Sequence, residues 1–350
     1  MASLRHGPTS FLAATVALLG ALLLAAGCAA PSRLGEDDRR RVAGGTFVVT
    51  GASSGIGRGV ALRLASYGAN IVLAARRAEA LEEAAAEVRA AGGQALVVPT
   101  DVSRQDQVER LARAAVERFG RVDVWINNAG VAAIGRFEEV PVEDHARVVD
   151  VNLKGVIHGS HAALRQFRRQ GGHGTLVNIA SVEGRVPLAY HASYAATKHA
   201  VLGLGAALHQ ELRLGGLEGI RVASVLPWAV DTPFWQHTAN YSGGTPRMVL
   251  MDAPEEVVDA IVWVSLHPTK EYAVGWKAKA TVLGDRIWPG LAERVAANVV
   301  HHAQVETAPP APPTAGALHE PMRPGGTTVE GGTRERMRQE DRERREREGR

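Results

Sequence analysis

Thr50-Gly51-Ala52-Ser53-Ser54-Gly55-Ile56-Gly57 follows a β-branched and aromatic run, Thr46-Phe47-Val48-Val49, and opens a stretch, residues 57–67, whose apolar positions return at helical spacing. Glycines between a strand and a helix let the backbone approach a ligand closely. The helix start adds unpaired N–H groups and a partial positive charge. That context suits a pyrophosphate, with Gly57 letting helix and strand pack tightly. Gly51, Ser53, Ser54, Gly55, Ile56 and Gly57 are therefore candidate cofactor residues. The bland alternative is a glycine-rich turn that holds nothing.

Outward from this loop, short β-rich runs alternate with helical ones. Strands are expected at residues 46–50, 70–75, 95–99, 122–127, 174–179, 220–226 and 278–283, and helices at 57–67, 78–91, 104–119, 142–169, 190–214 and 254–266. Such alternation predicts an α/β fold: a Rossmann-like, doubly wound, seven-stranded parallel sheet flanked by helices. With 350 residues, 45% hydrophobic, the chain supports one domain at residues 42–305 with appendages at 1–41 and 306–350. The formal net charge of +3 is small and dispersed, which gives no support for nucleic-acid binding. Cys28 is the single cysteine, so neither an intrachain disulfide nor a cysteine metal cluster is possible. The thirteen His form no metal set: His191 and His199 lack a carboxylate or Cys at ligand spacing and read as packing or surface residues, and His301-His302 as solvated.

At the end of the second strand an Asp or Glu would bind the ribose hydroxyls of NAD. Ala75 stands there, followed by Arg76 and Arg77. Without a carboxylate to repel it, a 2′-phosphate can pair with a guanidinium, helped by Ser53 and Ser54, so NADP is favoured over NAD. Tyr194 and Lys198 lie four apart in a Pro-free helical run and face the same way. An ammonium nearby favours the phenolate of a tyrosine, which makes the pair a proton-transfer candidate.

Residues 42–283 resemble the short-chain dehydrogenase/reductase family in its compact, single-domain, NADP-type form. The motifs that carry the resemblance are the loop at 50–57, Asp101-Val102, Asn127-Asn128-Ala129-Gly130, Asn152 in Val151-Asn152-Leu153, Ser181, and Tyr194-X-X-X-Lys198. The resemblance implies an NADP(H)-dependent oxidoreductase that interconverts an alcohol and a ketone or aldehyde. In it Tyr194 is the acid/base, Lys198 lowers the tyrosine pKa and holds the nicotinamide ribose, Ser181 binds the substrate oxygen, and Asn152 holds a water linking Lys198 to solvent. Asp101 and Val102 meet the adenine, Asn128 and Gly130 the adjoining ribose, and Pro227, Val230 and Thr232 the nicotinamide side. Trp228 replaces the glycine that usually follows this proline, as a pocket wall or a core filler. A homodimer or homotetramer through residues 142–169 and 190–214 is also implied. The rivals are a catalytically idle NADP-binding or scaffold protein of the same fold, and an epimerase or dehydratase, for which the residues after 278 leave little room.

Residues 231–247 turn irregular and aromatic, as a substrate lid or a packed surface loop. Residues 31–41 read as a solvated linker. The tail is rich in Pro, Gly and Thr, then carries eight Arg against six acidic residues from Arg334 onward, and is expected to be disordered or a lone charged helix. Residues 11–30 form an uncharged apolar run long enough to cross a bilayer. Arg5 precedes it and Arg33, Arg39, Arg40 and Arg41 follow, which would leave an anchored catalytic domain facing the cytoplasm. The rival is a lipoprotein anchored at Cys28 in Ala25-Ala26-Gly27-Cys28.

Overall fold

The computed structural model describes residues 34–322 and 326–348. In chain order the main elements are α1 (Glu36–Val42), β1 (Thr46–Thr50), α2 (Gly55–Ala65), β2 (Asn70–Ala75), α3 (Ala78–Ala90), β3 (Gln94–Pro99), α4 (Gln105–Phe119), β4 (Val124–Asn127), β5 (Ala133–Ile134), α5 (Val142–Val149), α6 (Gly155–Arg169), β6 (Gly174–Ile179), α7 (Ala192–Leu214), β7 (Ile220–Leu226), α8 (Phe234–His237), β8 (Ala239–Asn240), α9 (Pro254–Leu266), β9 (Glu271–Ala273), α10 (Gly275–Ile287), α11 (Pro289–His301) and α12 (Thr333–Glu348).

Alternation along the strands explains the layers. Phe47, Val49, Ile71 and Leu73 point to one face and join Leu64, Leu81 and Ile261 of α2, α3 and α9. Val48 and Val72 point to the other and join Leu111, Phe167 and Leu212 of α4, α6 and α7. Two cores on opposite faces of strands that carry apolar residues on both sides make a parallel sheet covered on both faces. Its order is β3-β2-β1-β4-β6-β7-β9, every pair parallel. The order reverses between β1 and β4, so the loops after these two strands open a crevice at their carboxyl ends. The 50–57 loop leaves β1 there, and Asn128 to Gly130 leave β4.

Several expectations need correction. The seventh strand is β9, not residues 278–283, which lie inside α10. Ala, Lys and Leu favour helix there, whereas a three-residue edge strand is too short to show a period. Residues 142–169 form one helical run interrupted by a π-helical segment, Asp150–Lys154. Part of the 31–41 linker is helix: α1 has acids in its first turn and arginines in its last, matching the helix dipole. It is pinned by Leu34 and Val42, which are buried, and by Asp38 against His267 at 3.0 Å.

The tail is neither disordered over its described residues nor a lone helix. Leu318 is fully buried beside Ala133, Val140, Val148 and Ala239. Asp231 accepts from the Thr333 N–H at 2.7 Å and pairs with Arg334, while Arg247 pairs with Asp341 at 2.7 Å. The charges that read as solvated thus meet buried partners in the 231–247 segment. Among the described residues no helix is long and apolar enough to cross a membrane. The apolar run at 11–30 and Cys28 lie outside the described residues.

Candidate active site

A cleft of about 260 Å³ runs along the carboxyl ends of the strands, with the glycine loop at one end and Tyr194 at the other. The loop geometry explains its glycines. Gly51 has φ +69, and a side chain there would meet the Ala129 backbone at 2.9 Å. A Cβ on Gly57 would lie 2.4 Å from the Gly51 carbonyl, so Gly57 serves helix packing while Gly51, Ser53, Ser54, Gly55 and Ile56 line the cleft. Thr50 ties this loop to the next: its hydroxyl accepts from the N–H groups of Asn128 and Ala129 at 2.9 and 3.1 Å. The Asn128 amide donates back to the Thr50 carbonyl at 2.9 Å. Asn127 points behind, into a buried network with Trp125 and Asn178.

At the β2 end, Arg76 and Arg77 reach the cleft beside Asp101 and Val102. Burial pulls both guanidinium groups below the usual arginine value. Arg77 donates to the Ser53 hydroxyl at 3.2 Å. Arg76 donates to the main-chain carbonyls of Ala317, Leu318 and His319, an engagement that no residue pattern announces. Asp101 pairs with Arg147 at 2.8 Å. Burial pushes Asp101 up, but hydrogen bonds from Arg147 and Ser103 outweigh it and hold the carboxyl below its ordinary range. His237, which lines the cleft with the arginines, is pushed down to about 4 by burial and by the charges of Arg77 and Arg76, and stays neutral near pH 7.

At the other end, α7 places Tyr194 and Lys198 one turn apart, and Ser181 follows β6. Lys198 Nζ lies 5.3 Å from the Tyr194 ring centre and donates to the Ile179 carbonyl at 2.8 Å. Burial drives the lysine down to about 8, and Glu183 opposes that shift. Tyr194 is not lowered as the Tyr–Lys spacing suggested. Burial pushes it well above the phenol range, Glu183 adds to this, and only a hydrogen bond with Ser181 pulls the other way. Ser181 Oγ accepts from the Glu183 N–H at 3.1 Å, which leaves its proton free to donate.

Asn152 sits fully buried in the π-helical segment, where single turns of this kind often mark functional positions. Its amide holds both main-chain groups of Val131, at 2.9 and 2.8 Å, and it stands behind Gly130, outside the cleft wall. Pro227, Val230 and Thr232 line the cleft on the far side. Trp228 does both things its position allowed: it faces the cleft and packs with Leu188, Trp235 and Met248. Residues 231–247 are packed here, with Trp235 buried and the Tyr241 hydroxyl on Asp144 at 2.5 Å.

Sequence reasoning missed Glu183 and took His191 for packing or surface. Both are buried at the cleft, with His191 Nδ1 3.0 Å from Glu183 Oε1. A turn and a loop separate them in the chain, so no helical or strand period connects them. His301 also has a partner, the Tyr190 hydroxyl at 2.6 Å. Among the described residues no group of three His, Cys, Asp or Glu could hold a metal.

With this geometry in place, the short chain dehydrogenase family model matches residues 45–241. The chain is also 34% identical over 276 residues to the uncharacterized oxidoreductase YxnA of Bacillus subtilis, covering 78% of this chain and 77% of that one. This chain belongs to the short-chain dehydrogenase/reductase family. Other relatives are 3beta-hydroxysteroid dehydrogenase 1 of Eggerthella lenta, 35% identical over 63% of this chain and 87% of the relative, and the (S)-acetoin-forming diacetyl reductase of Staphylococcus epidermidis, 34% identical over 61% and 80%. A solved alcohol dehydrogenase from Thermococcus sibiricus, complexed with 5-hydroxy-NADP, superposes with TM-score 0.57 at 30% identity, covering 66% of this chain and 96% of that one. As a short-chain dehydrogenase/reductase, the protein is an alcohol/ketone oxidoreductase whose fold binds a nicotinamide cofactor. The glycine loop fits such a group: Gly51, Ser53, Ser54, Gly55 and Ile56 line the cleft at the start of α2, and Gly51 and Gly57 permit the close backbone packing that holds the loop there.

Proposed function

We propose that the protein interconverts an alcohol and a ketone or aldehyde with NADP(H), using Tyr194 as the acid/base. The observation that carries this is the convergence of Ser181, Tyr194 and Lys198 at one end of a cleft whose other end is the glycine cradle. The bound dinucleotide supplies or takes the hydride. Ser181 donates to the substrate oxygen, and Tyr194 gives that oxygen its proton in reduction or removes it in oxidation. Burial keeps the phenol protonated, the form that donates in reduction. Lys198 holds the nicotinamide ribose, and Asn152 keeps the Gly130-Val131 backbone in place and relays protons from Lys198 through a water.

NADP rather than NAD is supported by Ala75 where an acid would stand, with Arg77 and Ser53 at the cleft as phosphate partners. Leu188, Trp228, Phe234, Trp235 and Met248 suit a largely apolar substrate. The names of the relatives in Eggerthella and Staphylococcus span steroids and small diketones, so an aldehyde, ketone and steroid panel is the screen to run. Further parts of the proposal are a homodimer or homotetramer through the α5–α6 run and α7, and a membrane anchor at residues 11–30 with the domain facing the cytoplasm. Light scattering tests the first, and mass spectrometry of the mature N-terminus the second. Tyr194→Phe tests the chemistry. It should retain NADPH binding and lose at least about a hundredfold in single-turnover hydride transfer; an undiminished rate would remove Tyr194 from the mechanism.

A further inference from the structure

Resting on the reading of the cleft as a dinucleotide site, we propose that the C-terminal strap, residues 314–322 and 326–333, is the outer wall of that site and retains the cofactor beneath it. The strap is fastened on both sides of the cleft. At one side Asn240 and Thr314 exchange backbone hydrogen bonds at 2.8 and 2.9 Å, and Leu318 is fully buried. At the other, Asp231 holds the Thr333 N–H and Arg334. Between these fastenings its carbonyls accept from three groups that line the cleft, Arg76, Arg77 and the Gly55 N–H, and from Arg58, which also pairs with Glu87. Leu318 and His319 take Arg76 at 3.0 and 2.9 Å, Gly326 takes Arg77 at 3.1 Å, Thr327 takes Arg58 at 2.6 Å, and Thr328 takes the Gly55 N–H at the start of α2 at 2.8 Å.

Two features make the strap a roof and not a plug. A carbonyl is a neutral acceptor, so it fixes the Arg76 and Arg77 guanidinium groups without cancelling their charge; only at the Gly55 N–H does the strap take a hydrogen bond that a phosphate would otherwise accept. The cleft also stays open beside the strap: Ala317, Pro321 and Met322 line it together with Ser53 and Ile56. A dinucleotide lying there is enclosed between strand ends and strap, and it leaves only when the strap detaches. Cofactor exchange, rather than cofactor chemistry, is then the step the strap controls.

Two measurements on the full chain test this. Leu318→Asp puts a charge into the apolar socket formed by Ala133, Val140, Val148 and Ala239 and should unseat the strap. Stopped-flow displacement of bound NADPH should then be at least about tenfold faster than in the wild type, since effects of this kind appear mainly in the off-rate. Hydrogen exchange on the wild type supplies the second measurement without any substitution. Saturating NADPH should slow exchange in residues 314–322. An unchanged release rate in a folded Leu318→Asp protein, or exchange that NADPH leaves unchanged or accelerates, overturns the strap proposal alone. A wild-type chain that binds neither NADPH nor NADH overturns the dinucleotide reading and the strap with it.

Discussion

Lys198 is held in the fold at a cost, and its replacement by methionine should expose that cost. The side chain is 4% exposed, and burial takes its pKa from the ordinary lysine value of 10.5 to about 8. At about 1.4 kcal/mol per unit, that depression corresponds to roughly 3 kcal/mol of folding free energy lost to carrying the charge. The sign follows from the proton count. Below pH 8 both folded and unfolded chains hold the proton and the cost is complete. Between pH 8 and 10.5 the unfolded chain binds more protons than the folded one, so stability rises with pH across that window. Lys198→Met abolishes the cost but strands the Ile179 carbonyl, a loss of about 1 kcal/mol. The variant should therefore be about 2 kcal/mol more stable than the wild type near pH 7, the advantage shrinking to nothing by about pH 10. It should also lose turnover. Urea unfolding of the cofactor-free proteins at a series of pH values measures the difference. A variant less stable at neutral pH, or a difference flat with pH, would refute the view that Lys198 is held charged against its surroundings.

Gly57→Ala should weaken NADPH binding by about ten- to a hundredfold, because its Cβ would lie 2.4 Å from the Gly51 carbonyl and force the loop to shift; fluorescence titration reads this, and unaltered affinity would mean that the loop gives way without consequence. Glu183→Gln removes the negative charge that raises Tyr194 and Lys198 while keeping a side chain that can hydrogen-bond to His191, so the pH profile of kcat/KM should move to lower pH. A profile that stays in place would show that Glu183 acts only through packing.

Whether a feature can be read from sequence depends on whether its cause is local. The two cores are legible because a strand must alternate: Phe47 and Val49 go one way and Val48 the other, whatever they pack against. The glycine loop and the Tyr194–Lys198 pair are legible for the same reason, since spacing alone fixes which groups share a side. The state of the tyrosine is not. It depends first on burial of the phenol by the folded chain and then on Glu183, which reaches the site through a 3₁₀ turn and meets His191 across a loop, so a rise stands where the spacing suggests a lowering. The strap lies beyond such reading for a stronger reason. Arg76 and the Gly55 N–H meet chain more than two hundred residues away, and what they meet is main-chain oxygen, which every residue possesses. A carbonyl leaves no mark in the sequence. The Arg-rich end could at most have suggested a partner, and the partners are one buried Arg247 and one buried Asp231 in a segment whose irregularity is the condition for receiving them. Charges that look solvated because they balance each other along a helix are informative only when the opposite wall is known.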